Sequence, residues 1–135
     1  MRRMLVTGGA GFIGGNFVHY WHRRYPEDVI IILDALTYAG NLSTIREALA
    51  SERVHFVHGD IVDGEVVARV MREHSPDTVV HFAAESHVDR SIVAPELFVR
   101  TNVLGTQCLL DAALVAWRTN GVWKDNVRFH HISTD

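Results

Sequence analysis

The chain has 135 residues, enough for one ordinary domain and too few for two. It is 47% hydrophobic and 21% charged, with a formal charge of −3 and no basic block, which excludes a disordered tail, a disulfide-stapled miniprotein and a cationic face for nucleic acid. The lone cysteine, Cys108, has no intrachain partner and fits a reducing cytoplasm, and no apolar run nears the roughly 18 residues that span a bilayer.

In chain order, short apolar runs alternate with amphipathic stretches. Met4-Leu5-Val6 reads as a buried strand closed by glycines from Gly8 onward, which also break any secretory segment after Met1-Arg2-Arg3. Phe12 to Tyr25 reads as a helix with Ile13, Phe17 and Trp21 on its buried stripe, stopped by Pro26. Val29-Ile30-Ile31-Ile32-Leu33 is apolar on both faces, as in the middle of a parallel sheet, and ends at Asp34. A short helix is expected from Ser43 to Ala50, with Thr44 and Glu47 at capping-box spacing.

Val54 to His58 is the third strand. Asp63 is placed to cap a helix whose buried stripe is Val66, Val67, Val70 and Met71, ended by Pro76. Thr78 to Phe82 is the fourth strand. A long helix then runs from Pro95 to about Arg118, with Val99, Val103, Leu110 and Trp117 on one side and Leu104, Cys108 and Val115 on another. Two apolar sides require two covers, the second being a further segment or another subunit. Arg128 to Ser133 is the fifth strand. The alternation predicts an α/β fold, a doubly wound parallel sheet of Rossmann type, truncated after that strand.

Gly8, Gly11 and Gly14 are spaced G-x-x-G-x-x-G between a strand and a helix, where backbone N–H groups can meet a diphosphate. Asp34 follows Gly14 by 20 residues, the separation of a carboxylate that accepts ribose hydroxyls. That carboxylate would repel a 2′-phosphate, and Ala35, Leu36 and Thr37 supply no cation, so the expected cofactor is NAD rather than NADP. Asp60 stands where a carboxylate could take an adenine amino group, or else it is a local cap. Phe82-Ala83-Ala84 ends the fourth strand with small residues, and the polar Glu85 to Arg90 lies on the rim where open α/β sheets bind ligands. His55 and His58, like the adjacent His130 and His131, point apart on strands, so no metal site is expected.

Several stretches make the chain resemble the extended short-chain dehydrogenases/reductases. They are Thr7-Gly8-Gly9-Ala10-Gly11-Phe12-Ile13-Gly14, Asp34 through Asn41, Phe82 through Ile92, Thr101-Asn102-Val103-Leu104-Gly105-Thr106, and His130 through Asp135. Within that family the Leu-Thr-Tyr-Ala-Gly-Asn and Glu-Ser-His-Val-Asp-Arg runs are similar to those of the branch that dehydrates dTDP-glucose. The resemblance implies oxidation of the sugar C4 hydroxyl by NAD, elimination of water across C5 and C6, and return of the hydride to C6. It places Asp135 as the acid for the departing hydroxyl, Thr134 on the C4 oxygen, and Ser86 against substrate. It places Phe12, Ile13, Asp34, Ala35, Leu36, Thr37, Asp60, Ile61, Phe82, Ala83, Ala84, Ser86 and Thr101 around the cofactor.

Family members continue with a Glu base, a Tyr-x-x-x-Lys pair and a substrate lobe, and pair as homodimers through a helix bundle. The 135 residues hold none of the first three, so the chain alone is expected to show no dehydratase turnover. Two other readings stay open. One is a nucleotide-sugar epimerase or decarboxylase on the same fold, against which Thr134-Asp135 argues because C4 epimerisation expels no hydroxyl. The other is a non-catalytic dinucleotide-binding module.

Overall fold

A computed structural model describes residues 1–135 apart from 38–39, 86–87 and 134–135. The first part of the chain forms β1 (Arg3–Thr7), α1 (Phe12–Arg24), β2 (Val29–Asp34), a 3-10 turn (Leu42–Ile45) leading into α2 (Arg46–Leu49), β3 (Val54–His58), α3 (Gly64–His74) and β4 (Thr78–His81). Then follow α4 (Val88–Val93), α5 (Pro95–Phe98), a π-helical segment (Val99–Gly105), α6 (Thr106–Trp117), a hairpin of β5 (Arg118–Thr119) and β6 (Val122–Trp123), and β7 (Arg128–His131).

Five strands make one parallel sheet in the order β3-β2-β1-β4-β7. Alternate side chains of the central strands feed two separate cores, which is why β2 is buried along its whole length. Leu5, Ile31, Leu33 and Val79 meet Val67, Val70, Leu109, Ala113 and Trp117 beneath α3 and α6. Met4, Val6, Ile30 and Ile32 meet Val18, Ile45 and Ala48 on the other face. The doubly wound fold predicted from the alternation is thus present.

Several local expectations change. On α1 the buried residues are Gly14, Gly15 and Val18, while Ile13 is 66% exposed. The helix approaches the sheet through its glycines, and this turns Ile13 outward to the rim. The Thr44–Glu47 box does not cap α2. Asn41 starts the turn earlier, its side chain accepting the Ser43 N–H at 2.9 Å. Asp63 does cap α3, accepting from Glu65 and Val66 N–H at 3.1 and 3.3 Å.

The long helix is preceded by the separate α4 and interrupted by the π segment, which re-phases Val99 and Val103 against α6. The core stripe of α6 is Leu109, Ala113 and Trp117, with the Trp117 indole N–H donating to the Pro76 carbonyl at 2.8 Å. Burying Leu109 alone is worth about 1.5–3 kcal/mol. Of the predicted first side, only Trp117 is buried; Val99, Val103 and Leu110 face outward with Leu104 and Val115. β4 and β7 end before Phe82 and Ile132, one and two residues short of the predicted strand ends.

Candidate functional site: a cleft at the strand reversal

The chain lays β2 and β3 on one side of β1, then crosses to β4 on the other, so the sheet order reverses between β1 and β4. In doubly wound sheets this is where crossover connections diverge and leave a crevice beyond the carboxyl ends of the strands. Here the crevice is walled by the glycine turn after β1, by Asp34 at the tip of β2, and by 82–85 after β4.

The turn is built tightly. Gly8 has φ +70°, and a Cβ there would lie 2.7 Å from the Ala83 backbone N. A Cβ on Gly14 would collide with the Gly8 carbonyl. Only glycine meets both demands. Gly11 sits at the N-cap of α1 and offers no side-chain hydrogen bond, and the first turn carries no acidic residue. The leading N–H groups of α1 therefore stay open, and the helix dipole adds positive potential at the same point.

Asp34 is 8% exposed and closes the turn from β2. Its Oδ2 accepts the Ala10 N–H at 2.9 Å and its Oδ1 accepts the Leu36 N–H at 2.8 Å. The second bond holds Leu36 at φ +53°, an unfavourable conformation for a γ-branched residue. Each carboxylate oxygen keeps a further lone pair for a hydroxyl donor.

The other predicted residues distribute as follows. Phe12 and Ile13 are exposed on the first turn of α1 beside the open N–H groups, and Ala35, Leu36 and Thr37 follow Asp34 along the same edge. Phe82 is half-buried against the Phe17 ring at 5.2 Å, Ala83 packs on the core, and Ala84 is exposed on the rim. Asp60 is exposed and accepts the Val62 N–H at 3.1 Å, and Thr101 lies half-buried in the π segment. Ile61 is a core residue, 4% exposed, packed at Gly105. Ser86, Thr134 and Asp135 lie outside the described residues.

Sequence reasoning missed a polar network under this cleft. Thr7, the last residue of β1, has its Oγ1 2.6 Å from His81 Nδ1, and His81 Nε2 lies 2.9 Å from Thr106 Oγ1. Asn102 brackets the β4 rim, accepting the Glu85 N–H at 2.8 Å and donating to the Glu85 carbonyl at 3.0 Å. Burial, with His131 nearby, lowers the His81 pKa from 6.5 to about 4, so the ring is neutral at ordinary pH. The signal available was a histidine at the end of a short strand whose middle is Val79-Val80.

Elsewhere, burial and the neighbouring Asp111 push the Cys108 thiol up, which disfavours a nucleophilic thiolate. Among the described residues no group of three His, Cys, Asp or Glu side chains could hold a metal. A groove of about 840 Å³ lies between α3 and α6, lined by Met71, Leu104, Cys108, Ala112 and Val115. It is also lined by Pro76, Asp77 and Val127, just ahead of β4 and β7, and includes none of the glycine turn, Asp34 or 82–85 that wall the cleft. No described helix is long and apolar enough to cross a membrane.

Fold and cleft together define a doubly wound α/β domain with a crevice at its strand reversal. Residues 5–135 match the GDP-mannose 4,6 dehydratase family, and the chain belongs to that family. A dTDP-glucose 4,6-dehydratase of Xanthomonas campestris is 52% identical over 136 residues, covering 100% of this chain and 38% of the relative. The Bacillus anthracis dTDP-glucose 4,6-dehydratase, solved in complex with NAD, superposes with a TM-score of 0.82 at 38% identity, over 99% of this chain and 38% of that one. A Thermus thermophilus UDP-glucose 4-epimerase complexed with NAD reaches 0.75 at 36% identity, over 84% of this chain and 34% of its own. The chain thus spans a little over a third of the length of these proteins.

Proposed function

We propose that this chain is the NAD-binding, N-terminal part of a dTDP-glucose 4,6-dehydratase. The observation that carries the reading is the closure of the glycine turn by Asp34, which leaves open helix N–H groups for a diphosphate and a carboxylate edge for an unphosphorylated ribose. Phe12 and Ile13 would flank the diphosphate, Asp34 to Thr37 the ribose, Asp60 and Ile61 the adenine, and Phe82 to Ser86 with Thr101 the far side of the cofactor. Ile61 can serve there through its backbone, since its side chain is committed to the core.

When bound, NAD supplies a reversible hydride acceptor. The residues of this chain orient it: the α1 terminus holds the charge, Asp34 rejects a 2′-phosphate by repulsion, and the close approach of Ala83 to Gly8 sets the depth of the cleft. Thr134 would hydrogen-bond the sugar C4 oxygen, Ser86 would contact substrate, and Asp135 would hold the proton for the departing C6 hydroxyl. The base, the tyrosine–lysine pair and the substrate lobe would come from sequence outside these 135 residues. The assembled enzyme is read as a homodimer in the cytoplasm, with a nucleotide sugar as its partner.

The epimerase reading is supported by the Thermus thermophilus likeness, and the lower identity of that match favours dehydratase. Calorimetric titration of the chain with NAD and NADP tests the cofactor assignment. NAD should bind and NADP should bind more weakly by about tenfold or more, the size of one close charge repulsion near a protein surface. Equal binding of both, or of neither, would remove the reading.

A further inference from the structure

Four hydrogen bonds run in series beneath the cleft. The Thr106 hydroxyl donates to the Asn102 carbonyl at 2.8 Å, so at its other contact, 2.9 Å from His81 Nε2, its oxygen must accept. Nε2 therefore carries the ring proton. Nδ1 is left as an acceptor, and the Thr7 hydroxyl donates to it at 2.6 Å. A remaining lone pair of Thr7 Oγ1 takes the Ala83 N–H at 3.3 Å. Each hydrogen has one acceptor. In the opposite tautomer Nδ1–H would donate to Thr7, whose own hydroxyl hydrogen then has no other acceptor among the described residues. His81 is 1% exposed, so an unmet donor there has no water to turn to.

The two ends of this series matter because of where they sit. Thr7 immediately precedes Gly8, and Ala83 is the residue whose backbone N would lie 2.7 Å from a Gly8 Cβ. The Thr7–Ala83 bond thus fixes the spacing of the two walls of the cleft. The opposite end, Thr106, is the first residue of α6, just past the π segment that brings Asn102 to the Glu85 backbone.

We propose that His81 is a positioning residue of the nucleotide cleft. Locked as the Nε2–H tautomer by Thr106, it orients the Thr7 hydroxyl and so registers the glycine turn against the β4 rim. This rests on the cofactor reading for its consequence in binding, while the tautomer itself does not. A histidine that merely filled space between β4 and α6 would be indifferent to which neighbour carries a hydroxyl.

The test uses the 135-residue chain, ¹⁵N-labelled, with imidazole nitrogen spectra at pH 7. The wild type should show His81 as the neutral Nε2–H form. Thr106→Val, close in shape but without the hydroxyl, should move it toward Nδ1–H, and Thr106→Ser should restore the wild-type signature. NAD affinity should fall about tenfold in Thr106→Val, the effect of one misdirected hydrogen bond, and recover in Thr106→Ser. An imidazolium or Nδ1–H ring in the wild type overturns the proposal, and this measurement stands even if Thr106→Val fails to fold. So does an unchanged tautomer in folded Thr106→Val, or unchanged affinity where the wild type binds NAD. If the tautomer switches as stated but the wild type binds no NAD, the relay is supported and the cofactor reading is what fails.

Discussion

Asp34 reaches across from β2 to accept the Ala10 N–H at 2.9 Å, so the carboxylate that would face a ribose also holds the phosphate turn in shape. Two roles on one side chain make a separable prediction. Asp34→Ala strands two backbone N–H groups, those of Ala10 and Leu36, and should cost about 2–5 kcal/mol in urea unfolding. Asp34→Asn keeps one carbonyl acceptor, should cost about half as much, and removes the negative charge. The ratio of NAD to NADP affinity should then fall toward one in Asp34→Asn; a ratio that stays at the wild-type value would mean another group selects the cofactor.

Gly14→Ala sets helix propensity against sterics. An exposed helix position would gain about 1 kcal/mol from this change. Here the new Cβ would meet the Gly8 carbonyl, a backbone atom that cannot swing aside. Overpacking of this kind costs about 1–3 kcal/mol, so the net effect should be destabilising, with NAD binding lost before the fold. At Gly121 a Cβ would meet nothing within 4 Å, but φ is +81°, so Gly121→Ala strains the hairpin backbone and should leave NAD binding intact. Urea midpoints and NAD titration of the two variants give the comparison.

Why the cleft was legible in sequence and its foundation was not follows from range. The glycine spacing and the Asp63 cap are each set within a few residues, and Asp34 stands at a fixed 20-residue separation from Gly14. The His81 network joins residues 7, 81, 102 and 106, and no spacing rule links them. The π segment, Val99 to Gly105, is likewise silent in the sequence, yet it re-phases Val99 and Val103 against the buried stripe of Leu109, Ala113 and Trp117 on α6. The hairpin was different: Asn120-Gly121 is a strong turn signal, with both residues at positive φ, passed over inside a connection.

Acid should destabilise the fold through His81. Its pKa is about 4 when folded and near 6.5 when unfolded, so between these values the unfolded chain binds the extra proton. Stability is full above about pH 6.5 and declines as pH falls to about 4, by about 3 kcal/mol at most. His74, lowered by burial and by His55 and Arg3, acts in the same direction. Urea unfolding from pH 7 to 4.5 should show the decline, and its slope should shrink in His81→Gln. A slope unchanged by that substitution would assign the acid sensitivity to other groups.

The chain should turn over no nucleotide sugar alone. Its one lysine, Lys124, follows Asn120 by four residues rather than a tyrosine, so no Tyr-x-x-x-Lys pair is present to take the C4 hydroxyl proton. Incubation with dTDP-glucose and NAD should yield no 4-keto product. Product at a rate above background would require a base within these residues.

The outer face of the long helix makes the last prediction. Val99, Val103 and Val115 are 55%, 56% and 80% exposed, and Leu110 and Leu114 are 47% and 42% exposed beside them. The sheet covers the opposite side of α6, so burial of this one requires a second body, as two apolar sides on one helix imply. The isolated chain should therefore self-associate, and sedimentation should report species larger than 15.2 kDa. Val103→Lys with Val115→Lys changes exposed positions, should alter stability by about 0.5 kcal/mol or less each, and should return the chain to monomer. A wild type that sediments as a monomer would mean the exposed residues are too scattered to drive contact. Persistent association of the double variant would instead place the contact away from Val103 and from the groove between α3 and α6 that Val115 lines.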